Sequence, residues 1–283
     1  METFVAITYF YQSTFAVALG KTLLIFSYHE NNELAKSIAI SDRDLENFNN
    51  IVVFSPSPSA EHFDNVIFNW KQSYPISYVL EEGCRKRSPR NSNIRFCKAG
   101  DAFSIADVKV QVFDAAGQGL CFLVNTHSTS VFHAGDLNLW HWRDDREPLE
   151  IAKTEKAYYD AVEKIPREPL DICMFPLDPN QGSLFEAGAN HIIMTLKPKL
   201  FLPMHFGAHF DMVRDYAARM RIHSTLIYPL TAPRDTIHVN LSSMPLNIHK
   251  TQTQESKSRS YSLGAYISEN PFSDTDLPVD LND

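Results

Sequence analysis

Asp136 and His205 are well placed to do chemistry, because each closes a strand-like run. In FHAGDLNLWHW (132–142) the run ends in Gly135-Asp136. Glycine permits close approach there, and the carboxylate can project from the C-terminal edge of a sheet, where sites of α/β proteins usually lie. In LKPKLFLPMHFG (196–207) a second run ends in His205. A third, Ile51–Phe54, leads into FSPSPSAEHF (54–63), which carries Glu61 and His62 side by side. Carboxylates and imidazoles can exchange protons or bond a cation. Other catalytic classes lack their residues: there is no G-x-S-x-G elbow, no G-x-x-x-x-G-K-[ST] loop and no G-x-G-x-x-G after a strand.

The elements that must position these residues alternate between strand and helix patterns. Phe4 to Phe10, Phe15 to Leu19 and Thr22 to Phe26 are rich in β-branched and aromatic residues, with a turn signal at Gly20-Lys21. A short helix-like stretch at Val66 to Trp70 follows the 51–54 strand, and Ile76 to Leu80 is again strand-like. Strands continue at Val108 to Phe113, Leu120 to Val124 and Ser130 to Phe132. Pro148 can open a helix whose apolar positions Ile151, Tyr158, Val162 and Ile165 keep helical spacing up to Pro166. A strand at Ile172 to Leu177, a helix at Ala187 to Leu196 and a strand at Leu200 to Pro203 come next. Phe210, Val213, Ala217 and Met220 mark a last helix, and Leu226 to Leu230 and Thr236 to Val239 can close the sheet. Interleaving of this kind predicts α/β layering.

With 283 residues, 44% of them hydrophobic, the chain can bury a substantial core. The expected division is a domain over 1–244 and a polar, largely disordered tail over 245–283, with at most a docking motif around Tyr261 to Phe272. A formal net charge of -8 argues against broad attraction to nucleic acid or anionic membrane, so a small-molecule substrate or ligand is the expected partner. Cys84, Cys97, Cys121 and Cys173 have no C-x-x-C spacing and read as reduced thiols of a cytoplasmic protein. The N-terminal stretch lacks a basic leader, and no run reaches the roughly 18 apolar residues a membrane span needs. The run CRKRSPRNSNIRFCK (84–98) carries six basic side chains. It reads as a solvated loop, with an anion-recognition loop or a Ser88-Pro89 phosphosite as the sharper alternative.

FHAGDLNLWHW and LKPKLFLPMHFG together resemble metallo-β-lactamase-fold hydrolases, in particular a bacterial subgroup reading roughly YHSGF early, SHxHxDHF after the second hairpin, HAGDLNLWHW and KPxxFxPMHF. The similarity covers about residues 3–240. It implies a four-layer αβ/βα sandwich holding two divalent ions, with ligands at about 2.0–2.2 Å, that acidify water for hydrolysis. By the same resemblance the second metal site falls on Glu61, His62, Asp136 and His205, with Glu61 and Asp136 as proton-handling catalytic residues.

The first metal site fares differently. Anchored on His62-Phe63, the two leading histidines of the motif fall on Ser57 and Ser59, and a one-residue slip puts Pro56 and Pro58 there instead. The region of the third ligand, Phe113 to Gly119, has no histidine. A serine hydroxyl is a poor ligand beside imidazole, and proline has no donor at all. By the resemblance, Gln12 stands in place of the histidine of YHSGF and Ser27 in place of an aspartate that ends the second hairpin strand and orders the metal loop, so support for the ligands is expected to weaken. Glu61 in place of aspartate moves the carboxylate by about 1.5 Å. At most one Zn²⁺ or Mn²⁺ per chain is expected, with hydrolysis slow or absent; the alternative is a non-catalytic ligand- or protein-binding module. His133 reads as packed in the core and His141 as lining the pocket mouth, while His127, His191, His209 and His223 read as structural or surface residues.

Overall fold

The computed structural model describes residues 3–30, 33–142, 146–220, 224–243 and 245–251. Six strands come first: β1 (Phe4–Tyr11), β2 (Thr14–Leu19), β3 (Thr22–Phe26), β4 (Asn50–Ser55), β5 (Ile76–Glu81) and β6 (Ile94–Cys97). Seven more follow: β7 (Ala102–Ile105), β8 (Val108–Asp114), β9 (Leu120–Thr126), β10 (Thr129–His133), β11 (Ile172–Pro176), β12 (Leu200–Met204) and β13 (Leu226–Ile227). The chain then returns to the first sheet as β14 (Thr236–Asn240) and β15 (Asn247–Thr251). The sheets run β15-β14-β1-β2-β3-β4-β5-β6 and β13-β12-β11-β10-β9-β8-β7.

Both sheets pass from antiparallel to parallel pairing. The change comes at β3-β4 in the first sheet and at β10-β11 in the second. Parallel neighbours need crossovers, and helices supply them: α1 (Glu33–Ser37) and α2 (Asp42–Leu45) before β4, then α3 (Pro148–Val162), α4 (Ala187–Leu196) and α5 (Phe210–Arg219) between the later strands. Helices therefore cover the outer faces, as the four-layer sandwich requires. Residues of β1, β2 and β3 alternate between two cores: Val5, Ile7, Phe15, Val17, Leu24 and Phe26 face the main one, and Ala6, Ala16, Ala18, Leu23 and Ile25 the outer one. Burial on both faces explains why these strands are apolar throughout. No helix among the described residues is long and apolar enough to cross a membrane.

Three elements depart from the sequence reading. The helix-like stretch near Val66 is a 3₁₀ turn over Asn65–Asn69, capped by Asp64. The basic run is not simply solvated loop, because Glu82–Arg87 is 3₁₀ and Ile94–Cys97 is β6. Its arginines cover apolar rings: Arg85 lies 4.1 Å from the centre of Phe96, Arg87 4.8 Å from Phe63 and Arg95 3.8 Å from Phe103. Lastly, β15 extends the folded domain past residue 244 into the stretch expected to be tail, pairing Asn247–Thr251 with β14. Tyr261 to Phe272 and His223 lie outside the described residues. All four cysteines are free and buried, and burial pushes the Cys84 and Cys97 thiols up to about 12, which makes them unreactive.

Candidate functional site

Each motif residue sits just beyond the C-terminal end of a strand, along one edge of the sandwich. After β4 the chain turns through residues 56–60, and the amides of His62 and Phe63 both donate to the Ser59 carbonyl. After β10, Gly135 adopts φ +55°, and a Cβ there would stand 2.4 Å from the Leu120 carbonyl oxygen. Only glycine fits, and it turns Asp136 onto the edge. His133 fixes this turn from beneath, accepting from the Gly135 amide at Nδ1 and donating from Nε2 to the Ser13 carbonyl. It is fully buried against Phe26, and burial lowers its pKa to about 3, so it is neutral. After β12, His205 takes φ +61°, a strained value for a non-glycine residue. Its amide donates to the Gln12 carbonyl, and the Gly207 amide donates to Gln12 Oε1.

Glu61, His62, Asp136 and His205 converge. His62, with no solvent exposure, places Nε2 2.7 Å from Asp136 Oδ1 and Nδ1 2.9 Å from Ser27 Oγ. His205 Nε2 stands 3.3 Å from Glu61 Oε2 and 3.9 Å from Asp136 Oδ1. Its Nδ1 lies 3.3 Å from Asp178 Oδ2, close enough for ion pairing though not aligned as a hydrogen bond. Trp140 packs edge-on against the His205 ring and donates from its indole nitrogen to the Asp136 carbonyl, and Trp142 stacks on Trp140.

Burial alone would lower the His205 pKa, but the carboxylates of Asp178, Glu61 and Asp136 outweigh it and raise the value to about 10. Reciprocally, His205 holds Glu61 below the usual carboxylate range. Burial pushes Asp136 and Asp178 upward, yet the neighbouring imidazoles, and the Asn180 amide at Asp178, bring both below their ordinary values. The site is therefore an imidazolium among three carboxylates. A raised histidine pKa contributes stability in full below the unfolded value of 6.5 and loses it as pH climbs through about 10. The depressed carboxylates contribute above their unfolded values of 3.8 and 4.5 and lose it as pH falls. The gap in melting temperature between wild type and His205→Ala should accordingly be widest near pH 6 and close toward pH 10; a gap independent of pH would refute the ion-pair assignment.

The region matching the first metal site has a different content. Ser57 and Ser59 hydrogen-bond to each other through their hydroxyls at 2.9 Å. The Pro56 carbonyl accepts from the Leu120 amide, and a Cβ on Gly119 would fall 2.7 Å from that same oxygen, so backbone packs closely here. Ala115, Ala116, Gly117 and Gln118 offer no imidazole.

Donor chemistry at the second position suits one divalent ion, with two imidazoles and two carboxylates, once His205 gives up its proton to the incoming ion. Donors about 2.0–2.1 Å from a tetrahedral ion stand about 3.3 Å apart. The His205–Glu61 separation of 3.3 Å matches this, whereas the 2.7 Å between His62 and Asp136 is a hydrogen bond that must open. As the side chains stand, no group of three or more His, Cys, Asp or Glu among the described residues is arranged to hold a metal ion.

Several expectations change in detail. Ser27 and Gln12, expected to weaken support, make direct contacts to His62 and to the His205 loop. His141 is buried and paired through Nε2 with Glu155 of α3 at 2.9 Å, so it ties the loop to the helix and does not line a pocket mouth. His191 meets Tyr158, His209 meets Asn180, and His127 joins Asp107 and Thr22 in a clasp between the sheets. Asp178 lies in no motif, although it follows β11 as Asp136 follows β10. Buried His29 is also absent from the motifs; it feels the charges of His62, Glu61 and Asp64.

Comparison with solved structures fixes the architecture. The metallo hydrolase Igni18 of the archaeon Ignicoccus hospitalis superposes with a TM-score of 0.57 at 13% identity, covering 83% of this chain and 98% of that one. The metallo-β-lactamase fold protein YhfI of Bacillus subtilis gives 0.54 at 8% identity, covering 84% and 100%. The fold is that of the metallo-β-lactamases. At such identities the likeness concerns fold alone, and a fold does not by itself fix a chemistry. The CmlA β-hydroxylase superposes with a TM-score of 0.50 at 11% identity, over 82% of this chain and 53% of its own. No protein-family model and no curated protein matches the sequence.

Proposed function

We propose that this chain is a metallo-β-lactamase-fold hydrolase that has lost its first metal site and takes up at most one divalent ion, Zn²⁺ or Mn²⁺, at the second. The carrying observation is the contrast within one loop: Ser57 and Ser59 bond to each other where the resembling family has two histidines, while Glu61 and His62 meet Asp136 and His205 a few residues on. A bound ion would supply a Lewis acid that makes water a better nucleophile at neutral pH. His62, held by Ser27, and His205, held by the Gln12 loop, would be its nitrogen ligands; Asp136 and Glu61 would complete the set. Glu61, whose side chain is 56% exposed, is the group open to a small substrate and to water, and so the proton acceptor. A carboxylate held below its usual range is a weak base, which favours slow turnover.

A second reading is favoured by the closure of the cluster on itself, with each imidazole already facing a carboxylate. On that reading the site is non-catalytic and the protein binds a ligand or partner. A panel of ester, lactone and phosphodiester substrates with added Mn²⁺ separates the two. Slow turnover that disappears in His205→Ala supports the hydrolase; no metal-dependent turnover by wild type supports the binding module. Brisk turnover surviving His205→Ala contradicts both.

A further inference from the structure

A cleft of about 490 Å³ lies on the outer face of the first sheet, among residues that play no part in the cluster above. Its size falls in the range of about 300–1,000 Å³ that encloses small organic ligands. Phe68, Trp70, Tyr74 and Tyr78 give it aromatic walls, over a floor that includes Ile76 at the start of β5. Strand β5 runs parallel to β4, and Ile76 pairs with Ile51, so the cleft lies toward the opposite end of the strands from the imidazole–carboxylate edge.

These walls are fixed in advance. Trp70 packs on Tyr28 with ring centres 5.2 Å apart, Phe68 packs on Tyr78 at 5.0 Å, and the Tyr78 hydroxyl donates to the Ile67 carbonyl. The remaining lining is largely neutral amide: Gln72, Asn91 and Asn93. Asn93 is already engaged, donating from Nδ2 to the Ile76 carbonyl. Its one charged lining residue, Lys71, is already paired with Asp42.

We propose that this cleft binds a neutral, hydroxylated ring, of the pyranose sugar class. Aromatic faces carry the negative side of the ring quadrupole and attract the C–H face of a saturated ring. Hydroxyls both donate and accept, which matches the amide donors and acceptors of Gln72 and Asn91. The absence of an unpaired charge on the lining disfavours an ionic ligand.

Saturation-transfer NMR on the full chain with D-glucose, cellobiose and maltose tests this independently of the metal question. At least one sugar should show saturable transfer, strongest at its ring C–H protons. Its affinity should fall at least tenfold in Tyr74→Ala and in Asn91→Ala, with the circular dichroism spectrum unchanged, and should stay the same in His205→Ala. Lack of saturable transfer for all three sugars would overturn the assignment. So would binding undiminished in both cleft variants, or adenine binding in the cleft where the sugars do not.

Discussion

Arg234→Ala should lower the unfolding free energy by about 3–5 kcal/mol, the usual cost of breaking a buried ion pair from one side. Arg234 reaches Asp44 on α2 with two nitrogens, at 3.0 and 3.1 Å, donates to the carbonyls of Ile38 and Ala39, and lies over the Phe10 ring. Asp44 is almost fully buried, so among the described residues loss of the guanidinium would leave it the Ser41 amide and hydroxyl alone. The pair also fastens the α1–α2 crossover to the loop before β14. For a domain of this size a melting-temperature drop of at least about 6 °C follows. A urea midpoint unchanged from wild type would show that the crossover is held by apolar packing alone.

Asp136→Ala should abolish stabilisation by added Mn²⁺ or Zn²⁺. One oxygen, Oδ1, faces both His62 Nε2 and His205 Nε2, so this carboxylate would join the two proposed nitrogen ligands. An ion that binds only the native state stabilises it by about 2.7 kcal/mol at a hundredfold excess over its dissociation constant. Without Asp136 the remaining donors are two imidazoles and the largely exposed Glu61, and that increment should vanish from a thermal-shift titration. An undiminished shift would place the ion elsewhere on the molecule.

Much of this site is legible in the sequence because strand ends are local features. Gly135-Asp136 and Met204-His205 each close an apolar run, and both residues fall on the same sheet edge. Asp178 carries the same signature after Ile172–Pro176 yet has no motif around it, and its importance comes from His205, twenty-seven residues away. Ser27 and Gln12 look like losses when read as substitutions. Their hydroxyl and amide nonetheless reach His62 and Gly207, contacts that depend on which strands lie side by side.

Edge strands are the other blind spot. In NIHKT, β15 has a polar pattern because only one of its neighbours is a strand, so apolar periodicity does not reveal it. Strand β6 hides inside a basic run whose Ile94, Phe96 and Cys97 turn toward the protein while Arg85 and Arg95 spread over phenylalanine faces. Charge density there measures the surface of a cation–π layer rather than a free loop. The continuous apolar runs of β2, β3 and β4, by contrast, state plainly that both their faces are covered.

Metal stoichiometry tests the central claim most directly. Purified protein, stripped by a chelator, repleted with excess Zn²⁺ or Mn²⁺ and desalted, is weighed by native mass spectrometry. Retention of no more than one ion per chain, lost in His205→Ala, is the predicted result, because Ser57, Ser59 and the 113–119 segment offer no imidazole for a second. Two tightly held ions per chain would contradict it.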